Sequence, residues 1–181
     1  MKGIVFTEFL ELVEARFSPA VTDRLIAGAD LPSGGAYTAV GTYDHAELVQ
    51  LVTRLSTATG IAVPDLLRAF GQHLFGRFVL GYPQLFESTS SVFGFLAGIE
   101  GYIHVEVRKL YPDAELPHFD CALTDPNRLT LTYQSTRPFA AFAEGLILGC
   151  IEHFGERIEL HHEDLSSGQG TAARFSLIRQ G

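Results

Sequence analysis

The stretch that follows Arg128 combines hydroxyl and guanidinium groups with the alternation typical of a β-strand. Side chains alternate between the two faces of a strand, and one face here carries Leu129, Leu131, Tyr133, Ser135 and Arg137. Because this face begins with leucines, we expect it to point into the protein. A buried guanidinium without a partner is costly, so an anion must meet Arg137. A guanidinium flanked by hydroxyls suits two carboxylates or one phosphate, and an internal Asp or Glu is the alternative partner.

His104 lies in a predicted helix, at the edge of an apolar stripe formed by Ile99, Ile103 and Val107. A half-apolar setting suits a metal ligand, because histidine binds metals through a neutral ring nitrogen. A packed or hydrogen-bonded histidine is the alternative interpretation. Spacing alone leaves both roles open.

Two other groups contain residue types found in reactive sites. Residues 161–164 (His-His-Glu-Asp) offer metal ligands, but adjacent side chains on a strand face opposite ways, which favours a solvated loop end. His118, Asp120 and Cys121 match a nucleophile-base-acid set only in composition. A small hydrolase that uses His118 and Cys121, or an enzyme that uses the His161-His162 pair, is therefore kept as an alternative function.

The composition predicts a folded protein and argues against several classes of partner. The chain has 181 residues, 46% of them hydrophobic and 14 of them Phe, which is enough to bury a large core. Its 13 Lys and Arg against 21 Asp and Glu give a net charge of −8, which disfavours binding to nucleic acid or to an anionic membrane. The longest mostly apolar run, 139–151, contains Glu144 and is too short to span a bilayer, and the N-terminus lacks the features of a signal peptide. We therefore expect a cytoplasmic protein.

The cysteine count also limits the chemistry. Cys121 and Cys150 are the only two cysteines, too few for a disulfide framework or for a thiolate zinc site without other ligands. We expect both to be reduced, packed thiols.

The hydrophobic period changes from helical to strand-like near residue 110. Before that point the spacing predicts helices over 6–17, 44–59, 64–78 and 92–110. Beyond it the spacing predicts strands over 119–123, 128–135, 157–161 and 173–178, turns at 125–127 and 166–170, and a helix over 139–154. The predicted class is α+β, with a helical N-terminal part packed on a C-terminal part that has helices and a small antiparallel sheet.

Several motifs in this order resemble the heme-nitric oxide/oxygen binding family, H-NOX, which is related to the heme domain of soluble guanylate cyclase. The resemblance covers nearly the whole chain. Its weaker segments are Met-Lys-Gly at 1–3, Ser-Gly-Gly-Ala-Tyr at 33–37 and Gly-Thr-Tyr-Asp-His at 41–45. Its specific segments are Ile-His-Val-Glu-Val at 103–107, Leu-Tyr-Pro-Asp-Ala-Glu-Leu-Pro at 110–117, and the Tyr-x-Ser-x-Arg motif at 133–137.

The resemblance implies a single heme-binding domain with the H-NOX fold. It places heme b between approximate subdomains 1–62, helical and distal, and 63–181, mixed and proximal. His104 would be the axial ligand of the heme iron. Tyr133, Ser135 and Arg137 would bind the heme propionates, and Pro117 would press on the porphyrin and distort it.

The resemblance also predicts which gas is bound. Members of the family that hold oxygen carry a distal tyrosine, and Phe142 occupies the corresponding position here. The expected distal residues are all without a hydrogen-bond donor: Val5, Phe9, Leu74, Phe78, Phe142 and Leu146. Bound oxygen gains from a donor whereas bound NO needs little help, so this sequence resembles an NO sensor that also binds CO and has weak or no affinity for oxygen. His73, next to Leu74, is the rival iron ligand.

The function implied by the family is sensing rather than catalysis. In the mechanism that the resemblance implies, NO would bind the ferrous iron, the bond to His104 would break, the heme would relax against Pro117, and the subdomains would shift. No output domain fits in the remaining chain, so a separate protein must receive the signal, and the resemblance points to a histidine kinase or a cyclic-di-GMP enzyme. A carrier of an apolar acid, whose carboxylate meets Arg137, is a further alternative.

Overall fold

A computed structural model describes residues 1–180 of the chain. These residues form seven α-helices and one four-stranded antiparallel sheet, which confirms the α+β class. They divide into two compact units, Met1–Phe70 and a second unit that begins at Gly71. None of the helices in the described part of the chain combines the length and the apolar character needed to cross a membrane.

The first unit is helical, as predicted. Its helices are α1 (Gly3–Arg16), α2 (Pro19–Gly28), α3 (His45–Thr59) and the start of α4 (Val63–Gly81). The sequence did not predict α2, because Thr22 and Leu25 are its only buried residues and make too short a stripe to detect. In the core the ring of Phe9 meets that of Phe70 edge to face, with centroids 5.3 Å apart.

In the second unit, α-helices and the sheet pack around one core. Its remaining elements are α5 (Val92–Ala97), α6 (His104–Leu110), β1 (His118–Asp125), β2 (Arg128–Gln134), α7 (Ala140–Phe154), β3 (Ile158–Asp164) and β4 (Ala172–Arg179). The strand order is β1-β2-β4-β3, so the two predicted turns join β1 to β2 and β3 to β4. In this register Leu131 faces Cys121 on one side and Phe175 on the other. The inward face of β2 is therefore part of the core, as the leucines predicted.

The single helix predicted over 92–110 is wrong, because the structure has three helical segments there. After α5, residues Ile99–Ile103 form a π-helical segment, and α6 begins at His104. The backbone N–H of His104 donates to the carbonyl of Ile99, five residues earlier. Gly98 and Gly101 weaken the α-helix at this point, since glycine costs about 1 kcal/mol more than alanine in a helix interior. π-helical turns often occur at functional sites.

Candidate functional site

His104, the candidate iron ligand, is a buried histidine at the first position of α6. Only 7% of the residue is exposed. Its Nδ1 lies 3.1 Å from Oε1 of Glu100, a close contact that is not aligned as a hydrogen bond. Its ring packs against Phe119, the second residue of β1, with ring centroids 6.0 Å apart. The π-helical segment and the sheet together fix the position of this imidazole.

The environment of His104 favours the uncharged ring. Burial lowers the pKa of His104 below its ordinary value, and the charge of Arg108 acts in the same direction. Glu100 opposes this shift without overcoming it. The imidazole is therefore neutral at neutral pH, which is the form that ligates a metal. With Nδ1 facing Glu100, Nε2 is the nitrogen left for a ligand role.

The predicted anion-binding residues lie at the end of β2. Tyr133 is buried, with 2% of the residue exposed, whereas Ser135 and Arg137 follow the strand, which ends at Gln134. The hydroxyl of Ser135 accepts a hydrogen bond from the backbone nitrogen of Arg137 at 3.0 Å. This turn keeps the alternation of the strand, since both residues remain half-buried.

The phenol of Tyr133 shares its surroundings with these two residues. Burial raises the pKa of Tyr133 above its ordinary value, and Ser135 and Arg137 reduce the shift through a hydrogen bond and a positive charge. The ring of Tyr133 lies 5.5 Å from the ring of Phe119, measured between centroids. Phe119 therefore contacts both His104 and Tyr133, and the structure brings the predicted metal ligand and the predicted anion site into one neighbourhood.

Arg137 has an internal anionic partner, which was the alternative left open by the sequence. Its guanidinium pairs with the carboxylate of Glu115 and donates to the Glu115 backbone carbonyl at 3.1 Å. The Arg137 side chain is only 11% exposed, whereas that of Glu115 is 80% exposed. Sequence reasoning missed Glu115, because no periodicity links the segment before β1 to the turn after β2. The pair leaves a nearly buried cation whose partner is free to turn into solvent.

Pro117 is half-buried and immediately precedes β1. It stands two residues after Glu115 and two before Phe119, in the same segment that reaches both Arg137 and His104. Pro117 therefore lies midway in sequence between the residue that pairs with Arg137 and the residue that packs on His104.

Four of the predicted distal residues lie on α4 and α7, which cross at close range. A Cβ atom on Gly71 would lie 2.3 Å from the carbonyl oxygen of Phe142 and 2.7 Å from the backbone nitrogen of Leu146. Only glycine permits this approach, so the crossing brings Phe142 and Leu146 beside the helix that carries Leu74 and Phe78. Leu74 is buried, and the other three are half-buried.

The remaining distal candidates belong to the first unit. Phe9 is buried within that unit and Val5 is half-buried on α1. His73, the rival ligand, is half-buried on α4, directly before Leu74.

The alternative reactive groups do not form sites in the described residues. His118 and Asp120 lie on the exposed face of β1 and Cys121 on the opposite face, so their side chains diverge. Burial raises the pKa of the Cys121 thiol, the reverse of what an activated nucleophile requires. Within residues 1–180, no three His, Cys, Asp or Glu side chains gather as a metal site, and the exposed His161 and His162 pair with separate glutamates.

Comparison with known proteins supplies an independent finding. A family model described as "Haem-NO-binding" matches residues 2–162. An H-NOX protein mutant from K. algicida, solved as unliganded Fe(II), is 41% identical with a TM-score of 0.96, and the match covers 100% of this chain and 97% of that one. An H-NOX from Shewanella woodyi, in the Fe(II)CO state with IWP-051 bound, is 43% identical with a TM-score of 0.84 over 99% and 95% of the two chains. An H-NOX protein from S. oneidensis in the Fe(II)NO state is 28% identical with a TM-score of 0.92 over 100% of both chains. No match was found among curated proteins.

Proposed function

The chain belongs to the heme-NO-binding family, H-NOX, a family of heme-based gas sensors, and from this premise we propose that it is a nitric oxide sensor acting on a separate signalling protein. One observation carries the proposal. A buried, neutral His104 lies in the same unit as the donors Tyr133, Ser135 and Arg137, with Phe119 in contact with His104 and Tyr133. This combination provides one metal ligand and one anion site a short distance apart.

The donor set fits heme b. His104 would ligate the iron through Nε2, since Nδ1 faces Glu100. Tyr133, Ser135 and Arg137 would bind the propionates, and charge-assisted hydrogen bonds of this kind contribute about 1.5 to 3 kcal/mol each. Glu115 must turn away from Arg137 for this to occur, which its exposure permits.

Ferrous heme held by His104 would supply the gas-binding chemistry, and binding of NO would weaken the hold of the iron on this imidazole. His104 lies where the π-helical segment ends and α6 begins. A force on its side chain therefore acts where the backbone changes from π-helical to α-helical hydrogen bonding. We expect α6 to move when the imidazole is released. Pro117, half-buried directly before β1, would pack against the bound heme.

The distal residues support selectivity for NO over oxygen. Leu74, Phe78, Phe142 and Leu146 carry no hydrogen-bond donor, and bound oxygen gains from a donor more than bound NO does. We therefore expect NO and CO to bind and oxygen to bind weakly. Two related H-NOX proteins have been solved in the Fe(II)NO and Fe(II)CO states, which supports the expectation that NO and CO bind.

The proposed output is regulation of a histidine kinase or a cyclic-di-GMP enzyme in the cytoplasm, without catalysis by this chain. The match covers 97–100% of two H-NOX structures, which are therefore similar in length to this chain. The diverging His118 and Cys121 side chains disfavour the hydrolase alternative. Two free thiols are compatible with a reducing compartment.

The test is a visible absorption spectrum of the purified protein, reduced without oxygen, then after NO, CO or air. We expect a Soret band typical of five-coordinate ferrous heme that shifts with NO and with CO and persists in air. A protein that takes up no heme contradicts the proposal. A stable oxygen complex in air would contradict its selectivity.

A further inference from the structure

The carboxylate of Glu100 makes contacts to both elements that fix His104. Its Oε1 lies 3.1 Å from Nδ1 of His104 and accepts a hydrogen bond from the backbone nitrogen of Phe119 at 2.8 Å. Nδ1 of His118 is more distant at 3.7 Å, and the His118 side chain is 65% exposed. Glu100 itself is 35% exposed. One carboxylate oxygen thus joins the π-helical segment to the start of β1.

We propose that Glu100 is a positioning residue for His104: it orients the imidazole, fixes the proton on Nδ1 and strengthens the bond from Nε2 to iron. This inference rests on the proposed heme ligation by His104. It assigns to this chain a carboxylate–histidine–metal arrangement in addition to the axial ligand itself.

At 3.1 Å, the Glu100 carboxylate acts on the His104 imidazole electrostatically. A carboxylate close to Nδ1 stabilises the tautomer with hydrogen on that nitrogen and increases the electron density available at Nε2. The His104 side chain is 8% exposed, so solvent screens the interaction only weakly. Since the contact is not aligned as a hydrogen bond, the charge carries most of the effect.

Glu100 also restrains His104 mechanically, through Phe119. Glu100 holds the backbone of Phe119, and the Phe119 ring packs on His104. The imidazole is therefore restrained directly by the carboxylate and indirectly by the aromatic ring. The π-helical segment makes this possible, because it ends with the bond from the His104 nitrogen to the Ile99 carbonyl and leaves the Glu100 side chain close to both partners.

The test is Glu100→Gln, which keeps the shape and an oxygen acceptor for the Phe119 N–H while removing the charge. The readouts are the iron–histidine stretching frequency of the reduced protein, measured by resonance Raman, and the reduction potential. We expect a lower frequency, a more positive potential and heme loss about tenfold faster, since such supporting residues typically contribute 10- to 100-fold to metal affinity. Glu100→Asp keeps the charge on a shorter side chain and is expected to give an intermediate frequency.

The matched control is Glu106→Gln, which removes a charge from the same helical region two residues after His104, where Glu106 pairs with Lys109 at 2.6 Å. It should leave frequency and potential at wild-type values. Glu100→Gln with wild-type frequency and potential overturns the proposal, as does an equal shift in Glu106→Gln. If Glu100→Gln fails to fold, Glu100→Asp decides, and a wild-type frequency there overturns the proposal. A wild-type protein without an iron–histidine band would refute the heme ligation instead.

Discussion

Arg137 donates a hydrogen bond to the backbone carbonyl of Glu115 at 3.1 Å and pairs with the Glu115 carboxylate. The two side chains differ sharply in freedom, because the cation is 11% exposed and the anion 80% exposed. Separating Arg137 from Glu115 costs little free energy, since an ion pair with one partner in water contributes about 0 to 1 kcal/mol to stability. Glu115 therefore competes with any other anion that reaches Arg137.

The first prediction concerns this competition. Glu115→Gln removes the competing charge and should strengthen heme retention, with heme loss slowed about two- to fivefold for an interaction of up to about 1 kcal/mol. The measurement is the rate of heme transfer to an excess of an apo-globin acceptor. Glu163→Gln is the control, because Glu163 pairs with Arg174 at the surface, where both side chains are exposed. Faster heme loss in Glu115→Gln would mean that the carboxylate supports the site.

A second prediction addresses the guanidinium itself. Arg137→Gln removes the charge-assisted donor and should speed heme loss about 10- to 100-fold, corresponding to about 1.5 to 3 kcal/mol. Arg137→Lys keeps the charge without the planar guanidinium, so its rate of heme loss should lie between those of the wild type and Arg137→Gln. Arg174→Gln, from the exposed pair, is expected to match the wild type in the same transfer assay. Unchanged retention in Arg137→Gln would remove this residue from the propionate site.

The sequence predicted the strands and most helices because their apolar residues follow one period over several turns. It failed at α2, where only Thr22 and Leu25 are buried, and at Ile99–Ile103, where the apolar stripe continues across a change in hydrogen bonding. Hydrophobic spacing records which face is buried. It does not record whether each backbone N–H donates to the carbonyl four residues earlier, as in an α-helix, or five residues earlier, as in a π-helix.

For the site, the sequence identified the side chains but not their partners. Tyr133, Ser135 and Arg137 were found from strand alternation, and the structure keeps them together. Glu115 and Glu100 were missed, because each depends on a tertiary contact with a residue that periodicity does not relate to it. The roles of His104, Pro117 and the distal residues stay predictions, as does propionate binding by Tyr133, Ser135 and Arg137.

A third prediction tests the axial ligand. His104→Ala should abolish the spectrum of five-coordinate ferrous heme, and added imidazole should restore it by filling the space of the missing ring. His73→Ala, which removes the rival ligand on α4, should keep the wild-type spectrum. An unchanged spectrum in His104→Ala, or a lost one in His73→Ala, would assign the iron to a different residue.

A fourth prediction concerns the two thiols. Burial raises the pKa of both thiols, and the charges of Asp120 near Cys121 and Glu156 near Cys150 act in the same direction. Each thiol therefore carries less thiolate at pH 8 than a free cysteine, whose pKa is about 8.5. In native protein we expect slow reaction of Cys121 with a disulfide reagent, accelerating as the pH rises. The fully buried Cys150 should react only after unfolding in guanidinium. Cys121→Ser serves to assign the native signal, and fast labelling at pH 8 in that variant would contradict the burial of Cys150.

The last prediction concerns Phe142, which lies half-buried on α7 beside the close crossing with α4. Phe142→Tyr adds a hydroxyl donor to a set of apolar distal residues. A hydrogen bond to the partial negative charge on bound oxygen contributes about 1.5 to 3 kcal/mol, so oxygen should dissociate about 10- to 100-fold more slowly, whereas NO binding should change little.

The measurement for Phe142→Tyr is the spectrum in air and the oxygen dissociation rate after rapid mixing with dithionite. Phe154→Tyr is the matched control, because it adds the same hydroxyl at the end of the same helix, where Phe154 packs against Phe95 and His153. We expect no oxygen complex in that variant. If Phe142→Tyr binds heme and also forms no oxygen complex, Phe142 does not face the bound gas, or one donor is insufficient, and the selectivity argument from the distal residues fails.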